Sequence, residues 1–112
     1  MLQRAKELSR KNPDSSNYLL NEVMVRFETL PDSIKAQYLS IRGNYHFFSS
    51  QYDSALWYYK QNLSGIYIDS DQIKAKMANN IGIIYNYTGK QDSAYKYLSL
   101  AYQLKKKWMI HQ

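Results

Sequence analysis

QYDSALWYYKQNL occupies residues 51–63, and KQDSAYKYLSLAY occupies residues 90–102. The two phrases share DSA, at 53–55 and at 92–94, so Asp53 and Asp92 stand 39 positions apart. IKA recurs at the same distance, at 34–36 and 73–75, and so do Gly43 and Gly82. Thirty-nine residues before Asp53 stands Asp14, in DSS. Three markers with one period define an internal repeat. A repeat unit is one supersecondary element that buries its apolar face only by stacking on its neighbours.

Each unit reads as two helices. In SDQIKAKMANNIGIIYNY, residues 70–87, the apolar or small positions Ile73, Met77, Ile81, Ile84 and Tyr85 fall at helical spacing rather than alternating. TGKQ interrupts the pattern, and Gly89 suits the residue just past a helix end. Asp92 then takes a cap or first-turn position, where an acid is favoured. The next helix carries Ala94, Tyr95, Leu98, Ala101, Tyr102 and Leu104. The preceding copy runs in parallel: Pro31-Asp32-Ser33 opens a helix through about Phe48, SSQY is the turn, and Asp53 starts a helix to about Tyr67. The N-terminal unit is degenerate. It gives a helix near 2–11, a stop at Asn12-Pro13 and a helix near 15–29, ended because the residue before Pro31 avoids helical backbone. The expectation is an all-α chain of about three antiparallel helix pairs in a single domain: a degenerate repeat over 1–30 and full repeats over 31–69 and 70–112.

The 112 residues suit one domain, and 45% are apolar, enough for a core at this size. No apolar run reaches the roughly 20 residues that span a bilayer, and MLQRAKELSRKNP lacks the apolar centre of a signal peptide. Membrane insertion within this chain is not expected, and a cytoplasmic location is the expectation, the compartment being otherwise open. With no cysteine there is no disulfide, thiolate site or Cys nucleophile. The formal charge of +6 permits an acidic or nucleic-acid partner without requiring one. The 12 tyrosines can each pack a ring while keeping the hydroxyl wet.

At Gly43…Ala55 and Gly82…Tyr85…Gly89…Ala94…Ala101 the chain resembles the tetratricopeptide repeat (TPR) family, over about residues 34–106. That resemblance implies helix–turn–helix units with small residues where the helices cross, Gly43 or Gly82 from the first helix and Ala55 or Ala94 from the second. The family period is about 34. The extra five residues fall between units, around SGIYIDSDQ, where a longer second helix or a loop is expected. Leu39 and Ala78 stand where the family carries a large aromatic, and His46 stands in a usual tyrosine place.

The resemblance further implies a right-handed superhelix whose concave groove is lined by the first helix of each pair. By position this gives Gln37, Ser40, Asn44, Phe47 and Phe48, then Lys76, Asn79, Asn80, Ile83, Asn86 and Tyr87. Amides among aromatics suit an extended peptide or a partner helix. Asn44 and Asn80 match two amide places of a carboxylate clamp, but Ser40 stands where its lysine would be. The function implied is non-catalytic protein binding, of the kind found in bacterial signalling and regulatory proteins, where a sensor kinase or DNA-binding domain would lie beyond Gln112.

Other readings compete. WYY at 57–59 is a possible stacking platform for bases, though such spacing more often marks core or inter-repeat packing. Lys105-Lys106-Lys107 suits phosphates or the negative end of a helix dipole. Trp108-Met109-Ile110 forms an apolar patch that suits another helix or self-association through the C-terminal helix. Catalysis has no support: His46 and His111 lie in different helices, and no metal-spaced cluster, Gly-rich phosphate loop or nucleophile motif occurs. Asp69 and Asp71 read as cap or loop residues, and His46 reads as packing. No enzyme activity and no cofactor are expected.

Overall fold

The computed structural model describes residues 1–110, and these are all-α. The order is α1 (Leu2–Lys11), α2 (Pro13–Met24), a 3-10 turn (Phe27–Thr29), α3 (Asp32–Phe48), α4 (Tyr52–Leu63), α5 (Asp71–Tyr87) and α6 (Gln91–Ile110). His111 lies outside the described residues.

The period of 39 governs the element boundaries. α3 and α5 start 39 residues apart and end 39 residues apart, and α4 and α6 start 39 apart. The joint after each first helix repeats bond for bond. Ser49, Ser50 and Gln51 donate their backbone N–H to the carbonyls of Tyr45, Phe47 and His46. Thr88, Gly89 and Lys90 donate to those of Ile84, Asn86 and Tyr85. This is a Schellman ending, which requires left-handed backbone at its middle residue. Gly89 meets that need at φ +77°; in the other copy the same place is held by Ser50 at φ +59°.

Two boundaries differ from the sequence reading. α4 ends at Leu63, not near Tyr67, because Gly65 turns left-handed at φ +74° and breaks the run. The five extra residues are therefore loop. α2 begins at Pro13, whose missing N–H is harmless in the first turn. It ends at Met24, with only a 3-10 turn from Phe27 to Thr29, so the helix expected over 15–29 starts and stops earlier.

The chain divides into two compact units, Met1–Tyr58 and a second beginning at Tyr59, the division falling within α4. In the first unit α1 packs on α2, and both pack on α3. Asn12 alone joins α1 to α2, and its side-chain oxygen accepts from the Ser15 N–H at 3.2 Å. The two helices close on small residues, Ala5, Ser9 and Ser16, all buried, with Ser16 Oγ donating to the Ala5 carbonyl at 2.8 Å. Leu20, Val23, Tyr38, Leu39 and Ile41 fill the interior.

Within the second unit α5 and α6 are antiparallel. Asp71 meets Lys107, Gly82 meets Leu98 and Tyr85 meets Tyr97, so one number rises as the other falls. Met77, Ala78, Ile81 and Ile84 of α5 and Ala94 and Ala101 of α6 are buried. Gly82 is buried as the small-residue pattern requires, but its nearest neighbour on α6 is Leu98, one turn beyond Ala94. Ser70 caps α5 by accepting from the Ile73 N–H, and Asp71 sits in its first turn. Asp69 pairs with Lys74, which holds its carboxyl below the usual carboxylate range. The two aspartates thus serve the loop and the helix start.

Candidate functional site

A helix that buries one stripe exposes another at the same spacing. On α3 the buried stripe is Ala36, Tyr38, Leu39, Ile41, Arg42 and Gly43. Gln37 and Phe48 are exposed, and Ser40, Asn44 and Phe47 are half-buried. Phe48 lies edge-on to Phe47, ring centroids 5.3 Å apart, and the Arg10 guanidinium covers it at 5.9 Å. On α5 the row opposite Met77, Ala78, Ile81 and Ile84 leaves Lys76, Asn79, Asn86 and Tyr87 exposed and Asn80 and Ile83 half-buried. Each helix therefore brings its own predicted residues onto one accessible face, and none of the eleven is buried.

The other sequence candidates separate. Of the WYY triplet only Tyr59 is core, 2% exposed, and its burial pushes the phenol up. Trp57 is 56% exposed. Tyr58 is half-buried and stacks on His46, centroids 5.4 Å apart and rings 9° from parallel. His46 is a packing residue, as read: its Nδ1–H donates to Gln51 Oε1 at 2.7 Å, an arrangement that fixes the protonated nitrogen because the amide oxygen only accepts. Burial lowers the His46 pKa, the Gln51 bond opposes that, and the Arg42 charge lowers it further. At the C-terminal end Lys107 lies 3.7 Å from Asp71, Met109 and Ile110 are exposed, and Trp108 is half-buried.

Sequence reasoning missed Arg42. It is 5% exposed at the place where the second copy has Ile81. Its Nε donates to Tyr38 Oη at 3.2 Å, and its two terminal nitrogens donate to Asn17 Oδ1 and Asn21 Oδ1, each at 2.7 Å. These acceptors are neutral, and the ring of Tyr45 lies 5.6 Å from the guanidinium. The signal was present: Asn17 and Asn21 are four apart on α2, and the repeat register sets a cation against an isoleucine. Lys60 is a second cation among rings. It donates to Tyr85 Oη at 2.8 Å and lies 5.8 Å from the Tyr97 centroid.

The first unit also contains a cleft of about 380 Å³. Its walls are Leu2, Val23, Leu30 and Ile34, and its polar members include Arg26 and Gln37. Among the described residues no group of three or more His, Cys, Asp or Glu side chains is placed to hold a metal, and no helix is long and apolar enough to cross a membrane. No family model matches the chain, and no curated protein or solved structure matches it.

Proposed function

We propose that this chain is a non-catalytic protein-interaction module of the TPR kind. It takes a peptide or partner helix on the exposed faces of its first helices, Gln37 to Phe48 on α3 and Lys76 to Tyr87 on α5. The observation that supports this reading is the pairing of accessible amides with accessible aromatics on both helices, each backed by a packed core. Asparagine side chains can match the donors and acceptors of a bound backbone, and Phe48 and Tyr87 offer rings at low entropic cost.

A second reading rests on charge. Residues 59–112 hold eight lysines against three aspartates, so they carry +5 of the chain's +6. Lys76, Lys90, Lys96, Lys105 and Lys106 are all exposed. That distribution suits nucleic acid, whose binding falls steeply with salt. Self-association through Met109 and Ile110 of α6 is a third possibility.

One experiment sorts these. A tagged pull-down from native lysate, with and without nuclease, is washed at low and high salt and repeated with Asn44→Ala and Asn79→Ala. A discrete protein that survives nuclease and salt but is lost from the variants supports the interaction reading. Capture that vanishes with nuclease or salt overturns it in favour of nucleic acid. Capture of the chain's own untagged copies alone favours self-association.

A further inference from the structure

The first-unit cleft has two features that point to one class of occupant. Its walls are aliphatic, and its volume of about 380 Å³ sits near the small end of ligand pockets, enough for one or two side chains rather than a folded surface. Its rim holds Arg26, whose main chain is pinned from both sides. Its N–H donates to the Val23 carbonyl at 3.0 Å, and its own carbonyl accepts from Thr29 N–H at 3.0 Å and Thr29 Oγ1 at 2.8 Å. The Arg26 side chain is exposed and enters neither ion pair found among the described residues. Gln37 lines the same cleft and is exposed.

We propose that the cleft between the start of α1, the end of α2 and the start of α3 is an anchor site for an acidic peptide, taking one large aliphatic side chain while Arg26 pairs with a carboxylate on the adjacent residue. The proposal deepens the interaction reading above, since Gln37 belongs to both surfaces. The complementarity is specific. An aliphatic side chain gains by leaving water, and a guanidinium fork binds a carboxylate with two parallel donors. A lysine-rich segment or an uncharged one would leave Arg26 unmatched.

The test uses the full chain and three capped hexapeptides, acetyl-AALEAA-amide and its Glu→Gln and Leu→Ala forms, followed by amide chemical shifts on labelled protein. The expected result is saturable shifts at Val23, Arg26, Leu30 and Ile34 with the parent peptide. Affinity should be roughly two- to fivefold weaker for the Glu→Gln peptide, as loss of a solvent-exposed ion pair gives, and undetectable for the Leu→Ala peptide. In Arg26→Gln, an exposed change that leaves the fold intact, the parent and Glu→Gln peptides should bind alike. No saturable shift at the cleft overturns the proposal, and so does an undiminished preference for Glu in Arg26→Gln. Octanoate binding at least as tightly as the parent peptide overturns the peptide assignment in favour of a fatty acid. A captured partner lost with Asn44→Ala but retained by Arg26→Gln would overturn this anchor and leave the interaction module standing.

Discussion

Gly82 lies directly against Leu98: a Cβ built on the glycine would stand 2.6 Å from Leu98 Cγ and 3.2 Å from the Leu98 backbone nitrogen. The side chain can swing aside, but the backbone of α6 can retreat only by loosening the helix pair. Gly82→Ala is therefore expected to destabilise the protein by about 1–3 kcal/mol, the range for overpacking. Chemical denaturation checks this. Gly82→Ala combined with Leu98→Ala should lose less than the two single changes together, because the pair shares one space.

Ser50 and Gly89 hold the same place in the two copies, both left-handed. A left-handed conformation costs a non-glycine residue roughly 1–2 kcal/mol. Ser50→Gly should accordingly stabilise the chain by about 0.5–1 kcal/mol, the glycine's greater freedom when unfolded offsetting part of the gain. Gly89→Ser should destabilise by a similar amount. No atom lies within 4 Å of a Cβ at Gly89, so strain alone is measured there. Equal denaturation midpoints for Ser50→Gly and the parent would contradict the argument.

Arg42 gives the third expectation. Arg42→Met keeps most of the buried volume but leaves Asn17 Oδ1 and Asn21 Oδ1 without their donor. Asn17 is half-buried and Asn21 exposed, so water can replace part of what they lose, and the expected loss is about 1 kcal/mol, the net worth of the bonds themselves. Asn17→Ala in the Arg42→Met background should then cost almost nothing. A large further loss would show that Asn17 acts by another route.

His46 gives a pH dependence with a definite sign. Its folded pKa is depressed, chiefly by burial, below the ordinary 6.5. Between the depressed value and 6.5 the unfolded chain binds more protons than the folded one, so stability rises with pH through that window. The contribution is fully present above 6.5 and is lost as pH falls through the folded pKa. Urea midpoints at pH 7.5 and below pH 6 should fall less in His46→Gln than in the parent. Identical pH slopes in the two proteins would count against this account.

The positions of the paired helices were legible in sequence because the repeat is local. DSA, IKA and the glycines recur at 39 residues, and the helix starts obey that period. Each depends on backbone preferences a few residues long: Gly89 past a helix end, Asp92 in a first turn, Pro31 before a start. The α3 and α5 face residues were named by position from the repeat resemblance, and their exposure accords with the buried stripe that each helix turns inward. The end of α4 was not, because Gly65 had first to be seen as left-handed rather than tolerated inside a helix.

Tertiary structure alone decided which residues meet. Nothing in the spacing says that Gly82 opposes Leu98 rather than Ala94, since a one-turn shift along α6 preserves the same helical face. Nothing in WYY says that Tyr59 is core, Tyr58 a partner of His46 and Trp57 exposed, because adjacent residues on a helix point 100° apart and only packing selects among them. The Arg42 bonds to Asn17 and Asn21 and the Arg26 cleft join residues distant in the chain, so they exist only once α1, α2 and α3 have packed. The sequence alone determined the helices and their period through local backbone energetics, and the structure decided their contacts through packing of whole side chains.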